Sequence, residues 1–409
     1  MNEGKGYMEY LYKLYYKDNE KYFEAKETRY HFETTLKTNL SILTAKNKEH
    51  VELYYVYNAA IQKKTELLYD ADKELSNLIN DLPPIALESL MLDLIISELE
   101  STNDLEGISS NRKELLVTAK KIAGNKEIQS ARMASMVRSY YSVWNHELHI
   151  PDTVESIRKS YDFLLEGEIE QKDQPDGILF RKDPVFVQKQ NTATGEILHE
   201  GVIGEANIQT YLANLLRFMS NDLIPGLIKT AIFHYYFEYI HPFYDGNGRL
   251  GRYLSSQYLL KQFGSLSALA LSRGAKILFK DYYDSFYQTN SHKNQGELNY
   301  FVDTFTDILI TGQKDILDQV KQSKELLNEA WQKIGNDDFF DSEEARNIAF
   351  VIAQHKFFAK NTGIEQNEIL DIIKENRANV SKAKKILKTM EENHYIQKIK
   401  NRPIIYIAK

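Results

Sequence analysis

Glycine and proline are scarce in this chain, with 19 glycines and 8 prolines in 409 residues. Their share, about 7% of the chain, compares with about 12% in average proteins. Most sharp turns need one of these two residues, and strands joined by hairpins need many sharp turns. A chain so poor in them is predicted to be mainly α-helical, with long helices and few strands. At roughly 150 residues per domain, the length predicts two or three domains.

The residue types that the chain lacks narrow its chemistry. There is no cysteine, which excludes disulfides, thiolate zinc sites, iron–sulfur clusters and a cysteine nucleophile, and is typical of the reducing cytoplasm. No stretch of about 18 apolar residues occurs and the first residues lack an export signal, so we expect a cytoplasmic protein without a membrane segment. The net charge of −7 disfavours non-specific nucleic-acid binding by the chain as a whole.

Three domains are predicted from changes of pattern along the chain. Residues 1–110 form an N-terminal helical region, residues 111–333 a mainly helical central domain and residues 341–409 a C-terminal domain. Between residues 7 and 80, apolar and aromatic side chains recur every three or four positions, which predicts two or three long helices. A further apolar helix starts near Ile85 and runs toward a glycine that allows the chain to turn.

One segment of the central domain has strand character. Between Gly177 and Gly204, aromatic and β-branched residues flank the turn-like sequence from Asn191 to Gly195. This pattern predicts a small β-hairpin.

The C-terminal domain differs from the rest in charge. From Asn379 to Lys409 there are seven lysines and one arginine against two glutamates. Three short helices followed by a two-stranded ribbon predict a winged helix-turn-helix. Its basic face is interpreted as a DNA contact, a protein-docking surface or simply a solvated face, and the sequence leaves these alternatives open.

The most informative segment is HPFYDGNGRLGR, from His241 to Arg252. It lies between two helical patterns and is therefore predicted to be a loop that opens onto a helix N-terminus. Gly246-Asn247-Gly248 allows successive backbone N–H groups to converge, and the helix dipole adds positive charge at the same point. This combination predicts an anion site.

The charged residues of the segment suit a nucleotide triphosphate. Arg249 and Arg252 are three residues apart, so their guanidinium groups can reach the same side of the helix. Asp245 supplies an oxygen ligand for Mg²⁺, and His241 can accept a proton near neutral pH. Together these residues indicate a phosphoryl or nucleotidyl transfer site.

Two common nucleotide motifs do not explain the segment. Gly246, Gly248 and Gly251 spell the dinucleotide-binding fingerprint, but a helix precedes them instead of a strand, and the acidic residue expected about 20 positions later is missing. The chain also lacks the GxxxxGK(S/T) motif of P-loop enzymes.

The segment resembles the signature of the Fic family, HPFx(D/E)GNGRxxR, at every specified position. The resemblance implies a Fic-type helical core whose members mostly transfer AMP from Mg²⁺-ATP to a hydroxyl group of a target protein. It implies that His241 is the base and that Asp245 holds Mg²⁺. The implied phosphate ligands are Gly246, Asn247, Gly248, Arg249 and Arg252, with Arg252 binding the terminal phosphate.

The resemblance extends to the target and the base of the nucleotide. The hairpin between Val185 and Ile197 is similar to the family's flap, which holds an extended target segment by strand addition. Tyr283 and Asn290 resemble the residues that line the adenine pocket in some members. The modified side chain would be a serine, threonine or tyrosine.

A second family feature is an inhibitory helix with the pattern (S/T)xxxE(G/N), which Thr102, Glu106 and Gly107 match. A carboxylate paired with Arg252 would occupy that arginine and repel the terminal phosphate. The sequence thus predicts a protein adenylyltransferase that Glu106 autoinhibits.

Two alternative functions stay open. One is an enzyme that removes AMP, or both adds and removes it, with Glu106 in the reaction. The other is a nucleotide-sensing regulator that binds DNA through its C-terminal domain. The sequence also leaves open whether the protein is a monomer or a homodimer.

Overall fold

The structure is a computed structural model that describes residues 9–45, 47–124, 132–188, 197–359, 363–375 and 379–409. These residues are mainly α-helical with a few short strands, as the composition predicts. Within these ranges, no helix is both long and apolar enough to span a bilayer. The N-terminal elements are α1 (Leu11–Lys17), α2 (Asn19–Arg29), β1 (Thr35–Leu43), β2 (His50–Val56), α3 (Ala59–Asn80) and α4 (Pro84–Leu105).

The prediction of uninterrupted helices between residues 7 and 80 is wrong in the middle of that region. Strands β1 and β2 form an antiparallel hairpin there. On β1, Thr38, Leu40 and Ile42 are buried at alternate positions, which is the period of a strand with one covered face. On β2, the four successive residues from Leu53 to Val56 are all buried. The aromatic residues on either side add three- and four-residue spacings, and these hid the alternation in the sequence.

The central region packs helices around the segment that contains the motif. The hairpin predicted between Gly177 and Gly204 is present as the antiparallel pair β3–β4, while the predicted turn from Asn191 to Gly195 lies outside the described residues. The elements are α5 (Arg112–Ala123), α6 (Ala134–Trp144), α7 (Val154–Leu164), β3 (Phe186–Gln188), β4 (Ile197–Glu200), α8 (Glu205–Met219), α9 (Gly226–Ile240), α10 (Asn247–Leu260), α11 (Ser265–Ala268), α12 (Leu271–Ile277), α13 (Phe279–Thr289) and α14 (Asn299–Asn336).

The C-terminal region has its own small hydrophobic core. Helix α14 continues to Asn336, so the predicted end of the helical pattern at residue 333 is slightly early. A short strand that the sequence did not predict, β5, pairs with β7 and completes a three-stranded sheet. The winged helix-turn-helix assignment stays a prediction. The elements are α15 (Glu343–Phe358), β5 (Ile364–Glu365), α16 (Gln366–Glu375), α17 (Val380–Glu392), β6 (Ile396–Asn401) and β7 (Ile404–Ala408).

Helix α4 packs against two parts of the hydrophobic core, and this packing determines the position of its C-terminal end. Ile95 and Leu99 belong to the large central cluster, whereas Leu90 and Leu94 pack with Ile316 and other residues of a second cluster. Truncating one such buried leucine to alanine typically costs about 2–5 kcal/mol. The position of the residues that follow α4 is therefore set by packing along the whole helix.

Candidate functional site

The loop between α9 and α10 has two residues in the left-handed backbone region. His241 ends α9 with φ of 52°, and its N–H donates to the Phe237 carbonyl at 3.0 Å. Gly246 precedes α10 with φ of 83°. A Cβ atom there would lie 2.3 Å from Cδ1 of Leu165, so both the backbone angle and the packing require glycine.

Asn247 holds this loop closed with its side chain. Its Oδ1 accepts the N–H of Phe243 at 2.9 Å, and its Nδ2 donates to the carbonyl of Phe243 at 2.8 Å. Phe243 in turn stacks on Tyr161, with ring centroids 3.7 Å apart. The side chain of Asn247 is thus occupied within the protein, and its predicted contact with phosphate would have to use its backbone N–H.

The ring of His241 is arranged as a proton acceptor. Nδ1 lies 3.3 Å from the backbone carbonyl of Glu238, and because a carbonyl only accepts, Nδ1 carries the hydrogen and Nε2 keeps its lone pair. Burial lowers the pKa of His241 to about 4. The imidazole is therefore neutral at pH 7, as a general base must be.

Arg181 fixes the backbone at His241, and the sequence analysis did not identify it. Its guanidinium is fully buried and donates to the carbonyls of His241 at 2.8 Å, Asp183 at 2.7 Å and Val202 at 2.9 Å. These bonds join the chain on both sides of the β3–β4 hairpin to the loop between α9 and α10. The segment around Arg181 carries no motif, so only its burial in the fold reveals this role.

Replacing Arg181 with alanine is expected to lower the free energy of unfolding by about 2–4 kcal/mol, because four backbone carbonyls, including the buried one of Ile240, lose a charged donor. Denaturation in urea, followed by circular dichroism, measures this loss. Arg158→Ala is the matched control, since Arg158 is partly exposed and bonds to Asp162 and to the Leu179 carbonyl. Equal losses in the two variants would contradict the special role of Arg181.

Arg252 is buried and binds the end of α4. Its Nη2 donates to Oε1 of Glu106 at 2.6 Å and to the Thr102 carbonyl at 3.1 Å, and its Nε donates to Oγ1 of Thr102 at 2.9 Å. Burial alone would lower the pKa of Arg252, but the Glu106 carboxylate outweighs it and raises that pKa above its ordinary value. Arg252 is therefore a permanent buried cation that Glu106 neutralises.

The carboxylate of Glu106 lies directly over the start of α10. A Cβ atom on Gly248 would meet Oε1 of Glu106 at 2.0 Å, so the two groups are in contact. Gly107, with φ of 71°, turns the chain away immediately after this carboxylate, and Tyr283 donates its hydroxyl to the Leu105 carbonyl at 2.8 Å. A negative group thus occupies the helix N-terminus, where a phosphate would otherwise bind.

Arg249 does not join Arg252, although the spacing had suggested that both would reach one side. Its Nη2 donates to Oδ2 of Asp245 at 2.9 Å, whereas Arg252 faces Glu106. The four-residue spacing from Asp245 to Arg249 favours this pairing on the first turn of α10. The predicted role of Arg249 in phosphate binding stays a prediction.

Asp245 fits a Mg²⁺ ion that arrives with a nucleotide. Its side chain is 41% exposed, and one carboxylate suffices because Mg²⁺ usually keeps waters and binds substrate phosphates. Within the described ranges, no cluster of three or more acidic or histidine side chains is arranged to hold a metal by itself.

A cavity of about 470 Å³ connects these groups. Its wall includes His241, Gly248, Arg252 and Glu106, together with both predicted base-pocket residues, Tyr283 and Asn290, whereas Asp245 and Arg249 lie outside this wall. Side chains that the sequence analysis missed complete it: Val187, His199, Glu238, Tyr239, Phe279, Lys280, Tyr282, Asp284, Phe286 and Tyr287. The volume is typical of small-molecule sites.

Strand β4 of the flap brings the hairpin to this cavity. Val187 on β3 and His199 on β4 both line it, and Nε2 of His199 lies 2.6 Å from the Tyr239 carbonyl on α9. The hairpin is thereby held against α9, the helix that ends at His241. An extended segment bound along it would lie beside the proton acceptor.

Comparison with known proteins identifies the family. Residues 152–259 match the Fic/DOC family. A Fic family protein from Desulfovibrio desulfuricans G20 is 16% identical over 87% of this chain and 97% of that chain, with a TM-score of 0.48. A Fic domain containing signaling protein from Bacteroides thetaiotaomicron VPI-5482 is 18% identical over 63% and 97%, with a TM-score of 0.41. By the family match alone, residues 152–259 are a Fic/DOC family domain, and members of that family generally transfer nucleotide monophosphates to proteins.

Proposed function

We propose that this chain is a protein adenylyltransferase that transfers AMP from Mg²⁺-ATP to a serine, threonine or tyrosine hydroxyl of a target protein. One observation carries the proposal: the neutral imidazole of His241 and the buried cation of Arg252 line the same cavity, beside the N-terminus of α10. Proton acceptance and polyphosphate binding are the two tasks that this transfer requires.

The nucleotide would bind with its phosphates at the start of α10. The backbone N–H groups of Gly248 and its neighbours and the helix dipole favour negative charge there, and Arg252 adds a full positive charge. Asp245 would hold Mg²⁺, which neutralises phosphate charge when it is bound. Tyr283 and Asn290 would then lie beside the base.

His241 would act on the target hydroxyl. Nε2 takes the hydroxyl proton while the oxygen forms a bond to the α-phosphorus of ATP, and the bond from that phosphorus to the bridging oxygen of the β-phosphate breaks. Pyrophosphate leaves, the AMP stays on the target, and the proton stays on the imidazole until it passes to solvent. Strand addition to the flap would place the hydroxyl for this step.

Glu106 would keep the enzyme inactive. Its carboxylate contacts both Gly248 and Arg252. The proposed phosphate position at the start of α10 is therefore blocked until the end of α4 moves or Glu106 is replaced. Autoinhibition is thus proposed from the overlap between a carboxylate and a phosphate position.

The position of the label on ATP tests the reaction class. We expect a Glu106→Gly variant incubated with Mg²⁺ and a cell lysate to transfer label from the α-phosphate of ATP to protein, and to add no γ-phosphate label beyond that of the lysate alone. Added γ-phosphate label would instead identify a kinase, and no added label from either position would contradict the proposal.

Removal of AMP is a second candidate, because the carboxylate of Glu106 lies at the same helix N-terminus and could orient a water toward a bound AMP-protein bond. This function predicts the opposite effect of the same substitution. Wild type would release AMP from protein that Glu106→Gly has labelled, and Glu106→Gly would not.

A further inference from the structure

Glu238 is a buried carboxyl group inside the candidate site that the steps above do not use. It lies on the last turn of α9, three residues before His241, and its side chain is 12% exposed. Oε2 lies 3.9 Å from Nδ1 of His241, and Oε1 is buried without a hydrogen-bond partner. A buried carboxyl oxygen without a hydrogen-bond partner destabilises the folded protein. Its position beside His241 therefore suggests a role in the reaction.

Helix α10 makes room for this carboxyl group. A Cβ atom on Gly251 would lie 2.2 Å from Oε1 of Glu238 and 3.1 Å from Cδ1 of Phe237. Any side chain at position 251 would therefore displace Glu238. Gly251, at a position that the Fic signature leaves unspecified, thus reserves space for the carboxyl group.

The charge of Glu238 depends on its surroundings. Burial raises the pKa of Glu238 to about 8, with the negative charge of Glu106 acting in the same direction and the positive charge of Arg252 against it. The carboxyl group is then mostly protonated at pH 7. The ionisable groups around it are His241 on the same helix end, Arg252 on α10, Glu106 after α4, and Tyr282 and Tyr283 on α13.

We propose that Glu238 is a positioning residue for His241: its carboxylate accepts a hydrogen bond from the Nδ1–H group and balances the positive charge that forms when Nε2 takes the target's proton. This inference rests on the proposed transfer reaction. In this role Glu238 acts only through the imidazole. The same division of roles holds between the aspartate and histidine of serine-protease triads.

The protonation state of Glu238 determines how well His241 can accept the target's proton. When the carboxyl group is protonated, it is uncharged, Nδ1 keeps its hydrogen bond to the Glu238 carbonyl, and nothing balances the positive charge that the imidazole gains. When the carboxyl group is ionised, Nδ1 donates to it and Nε2 is free to accept the hydroxyl proton. Transfer is therefore expected to rise with pH as Glu238 ionises.

The test compares Glu106→Gly with Glu106→Gly/Glu238→Gln between about pH 6 and 9. In the parent, the rate of transfer from α-labelled ATP rises with pH, and its midpoint lies below the pKa of about 8 that Glu238 has beside Glu106, because the substitution removes a negative charge that raises this pKa. The double variant keeps the shape of the side chain and its affinity for ATP. Its rate at high pH is lower by about tenfold or more, and that rate no longer rises with pH. Glu98→Gln in the Glu106→Gly parent is the control, because Glu98 is a second buried glutamate that bonds to the Ser272 and Arg273 N–H groups.

Nuclear magnetic resonance gives a readout that needs no transfer. In full-length Glu106→Gly labelled with ¹⁵N at histidine, the Nδ1 signal of His241, assigned by its absence in His241→Ala, shifts across the titration of Glu238. The shift disappears in the Glu238→Gln variant. If that variant does not fold, the absence of any shift in the Glu106→Gly parent overturns the inference.

The outcomes separate the two claims. If Glu106→Gly transfers no label, the proposed function fails, and the Nδ1 signal still tests Glu238. If the Glu238→Gln variant keeps both the rate and its rise with pH, Glu238 only fills space and the inference is wrong, whereas the transferase proposal stands.

Discussion

Replacing Glu106 with glycine is expected to raise ATP affinity about 10- to 100-fold and to raise AMP transfer at least as much. The substitution frees Arg252 from its 2.6 Å ion pair and clears the carboxylate from Gly248. A hydrogen bond to a charged group contributes about 1.5–3 kcal/mol, which corresponds to that range of affinities. Equilibrium binding of Mg²⁺-ATP and incorporation of α-label measure the two effects.

Asp104→Asn is the matched control for this substitution. Asp104 lies two residues earlier on the same helix, but its carboxylate pairs with Lys276 instead of Arg252. We expect its ATP affinity and transfer rate to equal those of wild type. Equal ATP affinity in wild type and Glu106→Gly would show that the carboxylate does not compete with the nucleotide.

Replacing His241 with alanine in the Glu106→Gly background is expected to lower the transfer rate by about 100-fold or more. ATP affinity should stay within about twofold, because Arg252 and the N-terminus of α10 remain. The neutral imidazole, with Nδ1 held by the Glu238 carbonyl, is the proton acceptor in this account. Rate and affinity are measured separately on the same preparation.

His394→Ala is the control for a general effect of histidine removal. His394 also has a left-handed backbone, with φ of 65°, but it is exposed and follows α17 in the C-terminal region. Its variant should transfer AMP at the parent rate. Transfer that survives His241→Ala would require another base and would contradict the assignment.

The parts of the site that the sequence could predict are local ones. The loop from His241 to Gly248 is a single contiguous segment whose glycines and helix start determine its backbone, so its residue order already implies an anion site. The contact between Glu106 and Arg252 joins residues 146 positions apart. Physical reasoning predicts that a carboxylate paired with Arg252 would repel a phosphate, but only the family resemblance indicated that Glu106 is its partner.

The parts that the sequence missed depend on distant packing. Arg181 acts on His241 from 60 residues away, and its role follows from burial against four backbone carbonyls and not from any motif. In the sequence, Glu238 is one polar residue of an apolar helix, and only the structure shows that it lies beside Gly251 and His241. The β1–β2 hairpin was missed because neighbouring aromatic residues obscured the two-residue period of β1, and because β2 is buried at four successive residues and has no such period.

Intact-mass analysis of labelled proteins tests the central claim most directly. Wild type, Glu106→Gly and Glu106→Gly/His241→Ala are each incubated with Mg²⁺ and α-labelled ATP in a cell lysate, and the labelled proteins are isolated and weighed. The account predicts strong labelling by Glu106→Gly alone, with each labelled protein heavier by one AMP group. Equal labelling by Glu106→Gly and the double variant, or no labelling by Glu106→Gly, would contradict it.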